Sequence, residues 1–224
     1  MGYDTSFEGS IDISGKMTKE FVEFINRFSS TRRMKRNNEK IKEIYPNWKE
    51  LCYHGNLGTD GEYFAPVSKN YGQDEEESIV KYNSSPDSQP GLWCQWIIRT
   101  KEKLSEDLKE YTGCITFDGG EKFYNYVEWL EYLIENFFNP ENLVLDGAIL
   151  AVGESTDDAT YIIIDKNQVI TYDALQDDIT KKIITEYNDN KKVLDYFKNI
   201  EKTPEEIHDT YWSWYDEDDD DYDY

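Results

Sequence analysis

Polar and apolar residues alternate along residues 3–13, where Tyr3, Thr5, Phe7, Ile11 and Ile13 are separated by polar positions. A period of two predicts a strand, with Gly9 as a bulge or turn inside it and Gly15 closing it. The period then changes to that of a helix. Phe21, Phe24, Ile25 and Phe28 fall at i, i+3, i+4 and i+7 behind Thr18, a suitable N-cap, which predicts a helix reaching Ser29. Residues 37–51 predict a short helix broken at Pro46. Residues 52–90 are dense in Gly, Asn, Ser and Pro, so they predict an extended loop region with short strands at 62–67 and 78–82.

The strongest pattern begins at Pro90. Residues 91–99, GLWCQWIIR, predict a buried strand with Trp93 and Gln95 on one face and Leu92, Cys94 and Trp96 on the other. Residues 101–110 form a hairpin loop or short helix, and 111–117 return as a strand. Residues 121–138 predict the principal helix, because Phe123, Val127, Leu130, Ile134 and Phe137 keep helical spacing while Tyr126, Trp129 and Leu133 widen the stripe. Asp118 stands as its N-cap or N′ residue, Glu121 adds a first-turn charge, and Pro140 ends it. Strands at 143–152, 161–165 and 168–172 follow, the last two joined by a tight turn at Lys166-Asn167. Residues 177–200 read as a helical region interrupted at Asp189-Asn190.

These elements predict an α+β fold, a mainly antiparallel sheet packed against a central buried helix, with additional N- and C-terminal helices. The domain reading is an α+β domain over 1–174, a helical extension over 175–203 and a disordered aromatic-acidic tail over 204–224. The aromatic content, with 18 Tyr, 10 Phe and 6 Trp, supplies a core despite the modest apolar fraction.

Charge changes the functional picture more than the fold. The net charge is −23, and seven acidic residues fall in the last nine positions, so about −16 belongs to the remainder. Such a surface repels nucleic-acid backbones and anionic lipid and attracts basic protein surfaces; no direct nucleic-acid or membrane partner is expected. The basic cluster of Arg32, Arg33, Lys35, Arg36, Lys40 and Lys42 reads as internal counter-charge for nearby carboxylates. Cys52, Cys94 and Cys114 read as reduced thiols, which fits a cytoplasmic location, or the host cytoplasm if the protein is viral. The start MGYDTS fits the myristoylation pattern formally but serves better as a strand.

The segment DGGEKFYNYVEWLEYLI at 118–134, with MGYDTSFEGS at the start, TRRMKR at 31–36 and QPGLWCQW at 89–96, resembles a family of uncharacterised bacterial and phage proteins. The likeness covers roughly residues 1–36, 60–83 and 89–172. It departs after Pro140, where Glu141-Asn142-Leu143 replaces an aromatic, glycine-containing turn, and everything beyond about 174 is additional. The resemblance implies a single intracellular domain and transfers no catalytic residue.

Catalytic signatures are sparse. Cys52 and His54 lack a metal-ligand partner spacing, and no phosphate loop, dinucleotide fingerprint or nucleophile elbow is present. Neither a cofactor nor a metal site is expected. Carboxylates at Asp118, Glu121 and Glu128 are the catalytic candidates, with Glu121 and Glu128 two turns apart on one predicted helix. The binding candidates are Trp93 and Trp96 in the strand, and Trp212, Trp214, Tyr215, Asp218 and Asp219 in the tail. The functional expectation is a protein-interaction module (an adaptor, inhibitor or charge mimic) that binds a basic partner. A divalent-metal or carboxylate enzyme and a structural virion component are the alternatives. Oligomeric state is left open.

Overall fold

The structure is a computed structural model and describes residues 2–105 and 110–212. Its elements are β1 (Thr5–Thr18), α1 (Lys19–Ser29), β2 (Lys35–Arg36), α2 (Asn38–Ile44), β3 (Ile79–Lys81), β4 (Trp96–Ser105), β5 (Glu110–Phe117) and α3 (Tyr126–Leu133), which runs into a π-helical turn, Ile134–Phe138. After it come β6 (Val144–Gly153), β7 (Ala159–Asp165), β8 (Gln168–Asp173), α4 (Ile179–Glu186), α5 (Lys191–Lys198) and α6 (Pro204–Trp212). Among the described residues, six strands make one sheet in the order β4-β5-β1-β6-β7-β8, and β2 and β3 make a small second sheet. The ladders β1/β6, β4/β5, β6/β7 and β7/β8 are antiparallel, so the α+β class with an antiparallel sheet holds.

The chain divides into two compact units, one of Met1–Ser14 with Val144–Tyr224 and one of Gly15–Leu143. This division departs from the expected boundary at residue 174. The reason lies in the first unit's core, where Leu150, Val152, Tyr161 and Ile163 share one cluster with Ile179, Ile183, Tyr187, Val193, Phe197 and Ile207. The C-terminal helices are therefore part of that core and not an appendage. Asn190 breaks the helical run as expected, and its side chain caps α5 by accepting from the Val193 N–H at 3.2 Å. Lys166 and Asn167 both take positive φ in the β7–β8 turn, the twist a two-residue hairpin needs. The disorder expected from residue 204 is corrected over Pro204–Trp212, which is α6; residues 213–224 of the expected tail lie outside the described residues.

The second unit is built on aromatics. Phe28 packs against Phe137 at 5.0 Å between ring centroids and against Tyr132 at 6.1 Å; Trp129 packs against Tyr132 at 5.4 Å. Thr18 accepts from the Phe21 N–H at 3.1 Å and starts α1 where the pattern placed it. Gly15 does not close β1: at φ +120 it bends a strand that continues to Thr18. Residues 62–67 form no strand, only an isolated bridge from Phe64 to Cys52. The hairpin of 91–117 is shifted, because β4 starts at Trp96 and runs to Ser105 through most of the predicted loop; residues 106–109 lie outside the described residues. The principal helix is shorter than predicted. Gly119, Lys122 and Asn125 all take positive φ, so the chain reaches helical geometry only at Tyr126, and Asp118 is not its cap.

The basic cluster is internal counter-charge, as its setting in an acidic chain suggested. Arg36 pairs with Glu76, Lys35 with Asp87 at 2.5 Å, and Lys40 with Glu43 at 2.8 Å. Arg33 behaves differently. It is 2 % exposed and donates to the main-chain oxygens of Glu62 (2.6 Å) and Phe64 (2.9 Å), with its guanidinium 4.1 Å over the Phe28 ring. Burial lowers its pKa to about 10, still well above neutrality, so it stays charged. The Glu62 carboxylate is held separately, by Tyr132 at 2.9 Å.

Candidate functional site

The second unit contains a cleft of about 1100 Å³. Its walls come from the end of α1, from the loop after β3, from the segment 91–95 leading into β4 and from the segment 118–125 between β5 and α3. Two of these segments are cross-tied. The Asp118 N–H donates to the Gln95 carbonyl at 3.0 Å, and the Gln95 Nε2 donates to the Glu121 carbonyl at 2.9 Å. The Asn125 Nδ2 reaches back to the Pro90 carbonyl at 2.6 Å. Asp118 closes its own turn by accepting from the Gly120 N–H at 2.8 Å. The positive φ of Gly119, +89°, makes that turn possible.

Hydrogen-bond accounting singles out this wall. Among the described residues, the buried side-chain polar atoms without a partner are Asn38 Oδ1, Gln95 Oε1 and Trp129 Nε1. Gln95 is 8 % exposed and lines the cleft; its orphan oxygen lies beneath Gly120, where an added Cβ would stand 3.2 Å from it and 3.1 Å from Asp118 Oδ1. Trp129 Nε1 lies beneath Gly91, another lining residue, at 3.8 Å from the corresponding Cβ position. An unmade bond of this kind costs on the order of 1–3 kcal/mol, and groups left so in a native fold call for an explanation.

Charge at the cleft is paired except at Asp118 and at Lys81, which also lines it and makes no ion pair among the described residues. Lys35 is bound to Asp87, and Lys122 faces Glu121 at 3.9 Å. Asp118 has no cation within ion-pair distance among the described residues. Its side chain opens to the cleft, yet partial desolvation by the surrounding protein pushes its carboxyl above the ordinary aspartate value, against the pull of the Gly120 N–H and of its own main chain. On the aromatic side, Trp93 is half-buried, with Tyr71 edge-on at 6.3 Å and the Arg32 guanidinium 5.9 Å from its ring centre. Tyr71 and Tyr124 are exposed at the cleft.

Comparison with protein-family models, curated proteins and solved structures gave no match.

Of the residues expected to carry function, the structure brings Trp93, Asp118 and Glu121 together around this cleft. Glu128 is excluded from it, exposed on α3, and it shares no helix face with Glu121, which precedes the helix. Trp96 is a core residue: it is 0 % exposed and its Nε1 donates to the Tyr126 carbonyl at 2.8 Å. Trp212 ends α6 in the first unit, while Trp214, Tyr215, Asp218 and Asp219 lie outside the described residues. Sequence reasoning put Gln95 beside Trp93 on one face without reading it as functional; a lone amide inside GLWCQWIIR was the available signal. Tyr71, Lys81 and Asn125 left none, since Tyr71 and Asn125 arrive from loops and Lys81 from the end of the short strand β3.

Elsewhere the chemistry is quiet. Among the described residues no group of three or more His, Cys, Asp and Glu is placed to hold a metal ion. His54 bonds Glu141 at 2.7 Å, away from the thiol of Cys52, which donates to the Trp48 carbonyl instead. All three cysteines are buried free thiols; burial pushes Cys52 up to about 11 and Cys94 up to about 12. Among the described residues, no helix is long and apolar enough to cross a membrane.

Proposed function

We propose that this protein is a recognition module that binds a basic segment of a partner protein in the cleft between 91–95 and 118–125. The observation that carries the reading is the corner formed by Asp118 and Gln95: a carboxylate without a cation beside a buried amide oxygen without a donor. Asp118 has the Gly120 N–H but no counter-charge, and Gln95 Oε1 has no donor, so a cationic group bearing several N–H bonds supplies what each is missing. The net charge of −23 draws a basic partner in and disfavours polyanions. Trp93 and Tyr71 offer ring faces on which a cationic side chain stacks favourably. A cleft of about 1100 Å³ is large enough for a few residues of extended chain.

The reading is tested by titrating the ¹⁵N-labelled full chain with a basic nonapeptide and with its acidic counterpart. The expected result is that only the basic peptide shifts the Trp93 indole and the 118–121 amides, that added salt weakens the effect, and that Asp118→Asn lowers affinity by about fivefold or more. Shifts confined to other surfaces, or equal response to the acidic peptide, would overturn it.

A further inference from the structure

The corner discriminates between the two kinds of basic side chain, and we infer that it selects an arginine guanidinium over a lysine ammonium. This deepens the recognition reading and rests on it. Asp118 Oδ1 and Gln95 Oε1 converge on one point, 3.1 and 3.2 Å from the bare face of Gly120, so a single group with several N–H donors can meet both. The two acceptors differ in kind, one a carboxylate and one a neutral amide. A guanidinium presents donors in a rigid planar fork, which supplies separate, fixed N–H bonds to two such acceptors. An ammonium is a compact and strongly hydrated charge; it gives up more hydration on entering and recovers less from an amide oxygen.

The aromatic wall points the same way. Guanidinium groups lie flat on rings as ammonium groups do not, and this protein already uses that contact beside the cleft, where Arg32 sits 4.4 Å over the Tyr82 ring and 5.9 Å from Trp93. Access to the amide oxygen requires one movement. Gly120 covers Gln95 Oε1, so the Gly119-Gly120 main chain must lift as the ligand enters. An added Cβ at Gly119 would meet nothing within 4 Å, so the turn is held there by the Gly120 N–H bond to Asp118 Oδ1, which the entering N–H group replaces. The bond from Gln95 Nε2 to the Glu121 carbonyl leaves the amide oriented with its oxygen toward the corner throughout.

The experiment uses the full chain and three pentapeptides, acetyl-Gly-Ser-X-Ser-Gly-amide, with X as arginine, lysine or citrulline, followed by NMR titration at the Trp93 indole and the 118–121 amides. Arginine is expected to bind about tenfold more tightly than lysine, with citrulline weakest because it lacks the charge. Gln95→Leu should bring the arginine-to-lysine ratio close to one while lysine affinity moves by less than about twofold. Gly120→Ala keeps both acceptors but places a methyl against them at the convergence point, and should also bring the arginine-to-lysine ratio close to one; a far-UV spectrum confirms the fold of each variant. Equal binding of arginine and lysine peptides in the cleft of the unaltered protein overturns the selectivity and leaves the recognition reading standing. A ratio that survives Gln95→Leu and Gly120→Ala in folded protein also overturns it. Absence of binding by all three peptides overturns both.

Discussion

The two units solve the same folding problem with different materials. The unit of Met1–Ser14 with Val144–Tyr224 buries aliphatic side chains, Leu150, Ile163, Ile183 and Val193 among them, between regular strands and short helices. The unit of Gly15–Leu143 buries rings, a guanidinium and a network of carbonyls, and its chain between α2 and β4 is mostly irregular. Aliphatic packing tolerates few gaps and needs no polar partners. Ring packing around irregular main chain leaves polar groups that must be satisfied one by one; of the three unmet among the described residues, Gln95 Oε1 is at the cleft wall, Trp129 Nε1 lies beneath the lining residue Gly91, and Asn38 Oδ1 lies outside the lining. The contrast puts the proposed binding cleft where the interior is already costly in polar terms.

The sharpest way to break the comparison is to truncate one core at a time. Phe28→Ala, which removes a ring in contact with Trp129, Tyr132 and Phe137, is expected to destabilise by about 3–5 kcal/mol. Ile163→Ala in the aliphatic core should cost about 2–5 kcal/mol. Hydrogen exchange followed by mass spectrometry shows which peptides open. Phe28→Ala should expose 15–143 first and Ile163→Ala 144–212 first; if either change opened both sets equally, the two cores would be one cooperative body.

Arg33→Leu comes next. It leaves the Phe64 carbonyl without its donor and the Glu62 carbonyl with the Gln89 Nε2 alone in a closed interior, which should cost about 2–4 kcal/mol by urea denaturation. A loss below about 1 kcal/mol would mean that water replaces the guanidinium, and the polar character assigned to that core would be wrong.

The smallest effect per group is alkaline. Tyr3 and Tyr45, one in each unit, have their hydroxyls pushed from 10 up to about 12, by burial first and by a bond to a carboxylate second. Above pH 10 the unfolded chain loses these protons while the folded protein keeps them. The folded state then binds more protons, so stability falls as pH rises from 10 to 12 in both units alike. Tyrosinate absorbance should lag behind the free-tyrosine curve and then rise together with the loss of ellipticity. A smooth titration at the ordinary tyrosine value with no lag would count against it.

Legibility in the sequence follows the same divide. In the aliphatic unit the strands β6, β7 and β8, the turn at Lys166-Asn167 and the break at Asn190 could be read from period and turn chemistry, because neighbours in sequence settle them. In the aromatic unit α1 and its Thr18 cap were legible for the same reason. The late start of α3 was not: three successive departures to positive φ, at Gly119, Lys122 and Asn125, are stabilised by distant groups such as Gln95 and Pro90. Trp93 and Asp118 were recognisable as unusual residues, but their meeting in one cleft depends on loops whose path no periodicity records. Trp96, three residues further along the chain than Trp93, had the same appearance and a wholly structural fate.

The burial of Cys52, Cys94 and Cys114 has a practical corollary. With their thiols shut away from solvent, the native fold should give a near-silent background toward maleimide dyes. A reporter introduced by Lys81→Cys at the cleft mouth would then be labelled almost alone, giving an optical readout of whatever enters.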